Sequence, residues 1–294
     1  MAEKNPRVIF LTGDLGFQVF DDFKSRFGPR YVNVGVAEAQ LVYAAAGLAL
    51  EGWRPVIYSI ASFATGRPFE QIRLCINYPN LPVVIVGAGG GYTYSSSGVT
   101  HHAGDDLGLM SLLPHVTVVA PGDPNEVKEL LPQLLALKGP SYIRIGRFGE
   151  PSYEAEAPVT LGRARLIRKG KKLAIVATGD AISFALQAAD LLKSEGVSPW
   201  VYQMHTVKPL DTEALEKLAV EVDTILVVEE HLPTGGLFDA VSQWRACRKE
   251  GPRVVRLGPN DSLVLGSPER EELRRRIHCD RNSIAETCRH LWSQ

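Results

Sequence analysis

The chain has 294 residues, and its 32 Lys and Arg against 33 Asp and Glu give a net charge of −1 at pH 7. This balance excludes the strongly basic surface with which proteins bind nucleic acids or anionic membranes. A hydrophobic content of 45% and a charged content of 22% are typical of a folded globular protein. At ~150 residues per domain, the length suggests two domains.

The sequence contains no apolar run of the ~18–20 residues that a membrane-spanning helix needs. Residues 1–10 carry charges where a secretory signal would be apolar. The four cysteines have neither CxxC nor Cys/His metal-ligand spacing, and they lie at Cys75, Cys247, Cys279 and Cys288. We therefore expect a cytoplasmic protein with reduced thiols.

Short β-branched runs alternate with longer stretches of helical periodicity, which is the pattern of parallel strands joined by helices. In the first half this pattern predicts strands at 7–12, 31–34, 55–59, 82–87, 116–120 and 142–145. It predicts helices at 37–50, 67–77 and 125–137. The strand-forming runs are apolar on both faces, as expected of strands that helices cover on two sides.

Residues 148–158 contain two prolines, three glutamates and a glycine without apolar periodicity, and we interpret them as a linker. Beyond the linker the alternation resumes, with strands at 173–178, 199–204, 224–230 and 253–257. Helices are expected near 181–194, after Gly235 and Gly236, and from 268 onward. The prediction is an α/β fold with two domains, 1–150 and 160–294, each a mainly parallel sheet flanked by helices.

Glu38 directly follows a predicted strand and falls in the first turn of the next helix. A lone glutamate at this position is usually a solvated carboxylate that complements the helix dipole. The helix at 37–50 is almost entirely apolar, however, so we expect it to be buried on most sides. Glu38 in its first turn should then be buried as well, which makes it a candidate for chemistry.

Two more segments follow predicted strands. Residues 62–73 carry Phe63 and Arg67, which by themselves would be a core aromatic and a surface cation. Residues 87–110 form a long glycine-rich loop with the adjacent His101 and His102, and loops of this length are usually functional or disordered. The HHxxDD spacing of this loop is not a zinc-binding spacing, so no metal site is predicted.

Arg147 ends the last predicted strand of the first half. An arginine at a strand end can bind a phosphate or a carboxylate with two hydrogen bonds. It can equally pair with the acidic linker that follows, and the sequence leaves both interpretations open.

The order and spacing of these segments resemble the C-terminal half of the transketolase family. The resemblance covers almost the whole chain and implies a pyrimidine-binding domain followed by a transketolase C-terminal domain. The sequence FATGR is most similar to the split form, which is encoded as two polypeptides. The matching segments are TGDLG (12–16), RYVNVGVAEAQ (30–40), SFATGRPFEQIR (62–73), GVTHHAGDDLGLMSLLPHVTVVAPGDPNE (98–126), GPSYIRIGR (139–147), VKPLD (207–211) and VVEEHLPTGGLFDAV (227–241).

The resemblance implies thiamine diphosphate as cofactor. Family members hold its diphosphate and Mg²⁺ on a separate domain through a GDG motif and a later Asn-containing segment. Here GDL at 13–15 and GDP at 122–124 lack the second glycine. The implied partner is an N-terminal transketolase subunit that carries GDG…N and holds the Mg²⁺, in an α2β2 heterotetramer.

The resemblance also implies roles for individual residues. Glu38 matches the catalytic glutamate that bonds N1′ of the aminopyrimidine and favours its imino tautomer. Phe63 lies where the family places an aromatic ring against the pyrimidine. His101 matches a catalytic histidine that reaches the thiazolium side of the cofactor and the substrate oxygens.

For substrate binding, Arg67 and Arg147 match arginines that contact the sugar phosphate in family members, and His102 is a second choice. The chain departs from classical transketolases at residues 89–91, where three glycines replace a His-Asp pair. Residues 95–99 of this chain are SSSGV. At this place classical transketolases have an acidic residue that binds a substrate hydroxyl. We therefore expect a two-carbon ketol transfer that acts on a modified or secondary-metabolite sugar.

Two alternatives remain open. The β subunit of a 2-oxo acid dehydrogenase shares both domains, although FATGR and the paired histidines favour the transketolase branch. A non-catalytic subunit that has kept the fold is the other alternative, and Glu38 with the histidines argues against it.

Overall fold

The computed structural model describes residues 1–147, 149–155 and 158–294. The elements of the first half are β1 (Val8–Thr12), α1 (Asp21–Phe27), β2 (Tyr31–Asn33), α2 (Glu38–Leu50), β3 (Arg54–Ile60), α3 (Ala61–Thr65), α4 (Phe69–Gln71), β4 (Val84–Ala88), α5 (Asp106–Ser111), β5 (Thr117–Val119), α6 (Pro124–Ala136) and β6 (Ser141–Ile145). Those of the second half are β7 (Arg165–Arg168), β8 (Lys172–Ala177), α7 (Ala181–Lys193), β9 (Trp200–Gln203), β10 (Thr206–Lys208), α8 (Thr212–Ala219), β11 (Val222–Val228), α9 (Leu237–Ala246), β12 (Arg253–Leu257), α10 (Arg270–Arg276) and α11 (Arg281–Trp292).

The first sheet has the strand order β10-β5-β6-β4-β3-β1-β2. Strands β1 to β6 pair in parallel, and β10 pairs antiparallel with β5. Strand β10 comes from the second half of the chain, so this sheet extends past the predicted boundary near residue 150. The two halves are therefore joined by backbone hydrogen bonds, including one of 2.7 Å from Ala120 N to His205 O.

The second sheet has the order β12-β11-β8-β9-β7, with only β7 antiparallel to its neighbour. Successive residues of β8 point to opposite faces, as pleating requires. Leu173 and Ile175 pack in the core formed with α7 and α11. Ala174 and Val176 pack in the core formed with α8 and α9. The predicted architecture, mainly parallel sheets flanked by helices, is confirmed.

The predicted strands and helices appear within a few residues of their expected ends. The predicted helix at 67–77 begins at Phe69 and becomes π-helical over Ile72–Asn77. Elements that the sequence analysis did not predict are α1, α3, α5, α8, β7 and β10. All six are short, with eight residues or fewer, so their periodicity is weak.

The predicted linker contains no helix or strand in residues 149–155 and 158, while residues 148, 156 and 157 lie outside the described part of the chain. It is nevertheless docked on the fold. Tyr153 donates its hydroxyl proton to the buried carboxylate of Glu126 at 2.6 Å, and its backbone N–H points to Asp123 at 3.3 Å. Glu126 also pairs with Arg165 of β7 at 2.8 Å, which ties α6 to the second half.

Among the described residues, no helix is long and apolar enough to cross a membrane. The four cysteines are free thiols, and Cys279 and Cys288 are buried. Burial raises the pKa of the Cys288 thiol to about 12 and that of Cys279 well above its ordinary value. Both buried thiols are therefore protonated and inert at neutral pH.

Candidate active site

The carboxyl ends of β2, β3, β4 and β6 lie at one edge of the first sheet, because these strands are parallel. Ligands of open parallel sheets bind at this edge, near the point where the strand order reverses. Here the reversal lies between β1 and β3, since β2 is on one side of β1 and β3 to β6 are on the other. The predicted site residues all follow one of these strand ends, which explains why most of them lie together.

Glu38 starts helix α2 and its side chain is only 6% exposed. The preceding turn is possible because Gly35 adopts a positive φ of 76°. The side-chain oxygen of Asn33 accepts hydrogen bonds from Asp14 N and Gly35 N at 2.9 and 3.0 Å, and these bonds fix the turn. The expected burial of Glu38 is confirmed.

Arg67 contacts Glu38 and Phe63 together. Its Nη1 donates to Glu38 Oε1 at 2.9 Å, and its Cζ lies 3.8 Å from the centre of the Phe63 ring. The Arg67 side chain is 49% exposed, whereas its partner carboxylate is buried. The planar guanidinium thus covers the ring while it bonds the carboxylate.

His101 also contacts Phe63. The two ring centres are 5.0 Å apart in an edge-to-face arrangement, which is favourable for aromatic pairs. Thr100 Oγ1 lies 2.9 Å from His101 Nδ1. The Tyr94 ring is 5.7 Å from His101 and carries Arg147 Cζ 4.5 Å above its centre.

Five of the six predicted site residues therefore form one continuous surface, which we call the Glu38 surface: Glu38, Phe63, Arg67, His101 and Arg147. For Arg147, both interpretations of the side chain left open by the sequence stay predictions. Its backbone N–H donates to Glu150 of the acidic segment at 3.1 Å, while its guanidinium lies on Tyr94. The guanidinium therefore lies next to a ring that contacts His101.

His102 faces a different environment from His101. Its ring lies 5.0 Å from Tyr92, and its Nε2 is 3.4 Å from Ser95 O. Desolvation by burial lowers the pKa of His102 below its ordinary value, although the bond to Ser95 acts in the opposite direction. A role for His102 in substrate binding stays a prediction.

A second arginine–carboxylate pair lies at the C-terminal end of the loop that carries the histidines, and no local sequence pattern indicates it. Arg144 of β6 bonds the Asp106 carboxylate with Nε and Nη2, and Tyr142 donates its hydroxyl proton to the same carboxylate. Burial alone would lower the pKa of Arg144, but Asp106 outweighs it and the pKa lies above its ordinary value. Asp106 is thus committed to this pair, and the described residues contain no group of three metal-ligating side chains.

Helix α2 is less buried than expected. Leu41, Val42 and Ala45 pack in the core, but Tyr43 and Leu50 are exposed on its outer face. The near absence of polar residues in α2 thus reflects an apolar surface rather than burial on most sides, and such surfaces mark interaction sites.

Comparisons with known proteins identify the family. Residues 1–148 match the family model of the transketolase pyrimidine-binding domain, and residues 162–283 match that of the transketolase C-terminal domain. A transketolase C-terminal section of Methanocaldococcus jannaschii is 34% identical over 97% of this chain and 90% of that protein. The 6-deoxy-6-sulfo-D-fructose transketolase subunit SqwH of Clostridium sp. is 36% identical over 82% of this chain and 76% of its own.

A solved structure described as a split gene transketolase, an inactive β4 tetramer, superposes with a TM-score of 0.88 and 31% identity. The match covers 99% of this chain and 94% of that one. The fold and these matches define the class, and the chain belongs to the transketolase family of transferases. Within the family it is the C-terminal subunit of the split form, as the sequence FATGR predicts.

Proposed function

We propose that this chain is the C-terminal subunit of a thiamine-diphosphate-dependent enzyme that transfers a two-carbon ketol unit to and from a modified, anionic sugar. The observation that carries the proposal is the Glu38 surface, which presents a buried carboxylate, an aromatic face and a histidine side by side at the ligand-binding edge of the sheet. Similarity to transketolases favours this activity over that of a 2-oxo acid dehydrogenase β subunit.

The contacts of Arg67 support the proposal that this surface binds an aminopyrimidine. Its guanidinium, a planar group with N–H donors, bonds Glu38 at 2.9 Å and lies on the Phe63 ring at 3.8 Å. An aminopyrimidine is also planar and presents ring nitrogens, so the same carboxylate and ring can hold it. The Arg67 side chain is half exposed, and it can swing into solvent without a large desolvation cost.

In this proposal the bound cofactor supplies the carbanion chemistry, and the chain supplies orientation and proton transfer. Glu38 shares a proton with the ring nitrogen it bonds, and its burial protects that proton from exchange with bulk water. Phe63 fixes the plane of the ring by stacking. His101 donates a hydrogen bond to a substrate oxygen where negative charge develops.

The substrate class is proposed from two arginines and from the lack of side chains in the glycine-rich loop. Arg67 and Arg147 are suited to bidentate binding of a phosphate or sulfonate oxygen pair. A Cβ at Gly90 would lie 2.1 Å from Arg144 Cγ, and one at Gly91 would lie 2.9 Å from Glu230 Cβ. The glycines are therefore required for packing and provide no side chain for a sugar hydroxyl, which favours a modified sugar over an ordinary pentose phosphate.

The partner is proposed to be an N-terminal transketolase subunit that carries the GDG…N motif and the Mg²⁺, in an α2β2 heterotetramer. Exposed apolar residues around α2 and the π-helical turn support a protein partner: Val36, Tyr43, Leu50, Leu74, Tyr78 and Leu112. The solved relative is described as an inactive β4 tetramer. The free thiols support a cytoplasmic location.

The proposal is tested by isothermal titration with thiamine diphosphate and Mg²⁺. The isolated chain should bind the cofactor negligibly, because it holds only the pyrimidine half of the site. The chain mixed with its N-terminal partner should bind it and should transfer ketol units from a ketose donor. Micromolar binding by the isolated chain, or no transfer by the complex with any ketose, contradicts the proposal.

A further inference from the structure

The loop between β4 and α5, residues 89–105, carries both histidines, and we call it the histidine loop. The second half of the chain contacts this loop near both of its ends. Tyr92 N–H donates to the Glu230 carboxylate at 3.1 Å. Leu232 N–H donates to Gly104 O at 2.7 Å. The loop is therefore fixed from outside its own domain on either side of His101.

His231 extends this attachment into helix α5. Its Nε2 lies 3.0 Å from Gly108 N, which can only donate, and its Nδ1 lies 2.8 Å from Leu232 O, which can only accept. The two partners together define a neutral ring with the proton on Nδ1. The side chain is fully buried, so Gly108 N has no water to replace this acceptor.

Glycines allow the two halves to approach this closely. A Cβ at Gly235 would lie 2.7 Å from Gly108 Cα, and one at Gly108 would lie 3.3 Å from His231 Cε1. Gly91 faces Glu230 in the same way and adopts a positive φ of 60°. Side chains at these positions would push the histidine loop away from the second half.

Glu230 is itself held in place. Arg270 and Arg274 of α10 donate to its carboxylate at 2.8 and 3.3 Å, and both arginines also bond Asp180 at the start of α7. The backbone oxygen of Glu230 accepts from Arg144 at 3.1 Å. The group that anchors the histidine loop is thus fixed by two helices and a strand.

Lys208 completes the attachment at the far end of α5. Its ammonium donates to Ser111 O at 2.9 Å and to Leu113 O at 2.6 Å, where the helix leaves carbonyl groups without partners. Helix α5 is therefore bonded to the second half near both ends, by His231 and by Lys208.

We infer that Glu230 and His231 are positioning residues that hold the histidine loop, and with it His101, in its reactive place. The C-terminal domain thereby acts on the site through the loop, although its own residues lie outside the Glu38 surface. The attachment follows from the contacts alone, and its catalytic consequence rests on the proposed function.

The attachment is tested by hydrogen–deuterium exchange of the full chain, followed by mass spectrometry of peptides within residues 89–113. In the His231→Leu variant these peptides should exchange about five- to tenfold faster, because the acceptor of Gly108 N is lost and local opening is easier. His231→Gln provides an oxygen near the position of Nε2 and should restore most of the protection.

Ile284→Ala is the matched control, because Ile284 is fully buried in α11 of the second half and belongs to a core that contains no residue of the loop. It should destabilise the second half and leave exchange of residues 89–113 at its original rate. Equal exchange of these residues in His231→Leu and in the original chain overturns the inference. Equal acceleration by Ile284→Ala also overturns it, because the effect would then be general destabilisation.

The catalytic consequence is measured on the complex with the N-terminal partner. His231→Leu should lower kcat about tenfold with cofactor affinity retained, and His231→Gln should recover most of the rate. An unchanged kcat with accelerated loop exchange overturns the positioning role. Absence of ketol transfer in the unmutated complex would instead contradict the proposed function and leave the exchange result as it stands.

Discussion

The molecule contains two arginine–carboxylate pairs in contrasting settings near the same sheet edge. Arg67 and Glu38 form a single hydrogen bond at the surface, with the arginine 49% exposed. Arg144 and Asp106 form a pair with side chains 8% and 0% exposed, and Tyr142 and backbone oxygens satisfy their remaining polar groups. Burial, rather than the types of residue, therefore decides which pair can open for a ligand.

The difference follows from solvation. When Arg67 leaves Glu38, water replaces the lost bond at the arginine. The position that the half-exposed arginine vacates also opens the Glu38 carboxylate to water or to a ligand, so the pair should contribute little to stability. When Arg144 loses Asp106, its charge stays buried without a counterion, and that state is costly. The exposed pair is thus suited to exchange with a ligand, and the buried pair is suited to hold the histidine loop.

The largest expected effect on stability is that of removing Asp106 from the buried pair. Asp106→Ala should lower the free energy of unfolding by about 3–5 kcal/mol, because it leaves the buried guanidinium uncompensated. Urea denaturation of the purified chain measures the loss. Asp105→Ala is the control, since Asp105 is the exposed neighbour and should change stability little. A loss below about 1 kcal/mol for Asp106→Ala would show that the buried pair is not a structural requirement.

A substitution of Arg147 tests whether the exposed site binds an anionic substrate. Arg147→Ala should raise KM for phosphorylated or sulfonated sugars roughly 10- to 150-fold, corresponding to about 1.5–3 kcal/mol for a lost charge-assisted bond. The KM of uncharged analogues should change less. Arg248→Ala is the control, because Arg248 also lies on an aromatic ring, 4.3 Å from the centre of Trp244, but away from the site. Equal increases on charged and uncharged substrates would assign Arg147 to the fold.

A substitution of Arg67 shows how much the exposed pair contributes to the free energy of unfolding. Arg67→Ala should lower the free energy of unfolding by less than about 1 kcal/mol, since solvent screens a half-exposed pair. The measurement is the same urea denaturation as for Asp106→Ala, so the two pairs are compared under one condition. A loss equal to that of Asp106→Ala would contradict the distinction between them.

The smallest expected effect is a pH dependence of the free energy of unfolding that arises from the buried His205. Burial, the largest cause, lowers the pKa of His205 below the ordinary value of 6.5 that it regains on unfolding. As pH falls through 6.5, His205 gains its proton in the unfolded chain before it does so in the folded chain. The free energy of unfolding therefore decreases as pH falls from there towards the folded pKa. His205→Gln should reduce the slope of unfolding free energy between pH 7 and 5, and His290→Gln at an exposed site should not. An unchanged slope in His205→Gln would exclude this contribution.

The exposed site could be predicted from the sequence more fully than the buried pair. Glu38, Phe63, His101 and Arg147 each follow a strand, and parallel strands bring such residues to one edge. The pairing of Arg144 with Asp106 spans 38 residues and leaves no local periodicity to detect. His101 and His102 contact different aromatic rings, and this difference depends on loop conformation, which the sequence pattern does not encode.

The contacts between the two halves could be predicted only in part from local patterns. The segment VVEEH contains Glu230 and His231, and two adjacent acidic residues after a buried strand were a signal that could have been followed. Strand β10 has three residues, too few for alternation to show. The apolar surface of α2 was interpreted as burial because composition alone cannot distinguish a core from an interface.

The central claim is that Glu38 is the carboxylate that activates the cofactor, and its most direct test uses the complex with the N-terminal partner. Exchange of the C2 proton of bound thiamine diphosphate into deuterated water, read by proton NMR after quenching, isolates activation from the unidentified substrate. In Glu38→Gln this exchange should fall roughly 10²- to 10⁴-fold while cofactor affinity falls less, because an amide can bond the ring nitrogen but cannot share its proton. The exposed Glu70→Gln is the control and should exchange at the original rate. Exchange at the original rate in Glu38→Gln would contradict the account and leave Glu38 as a helix-terminus carboxylate.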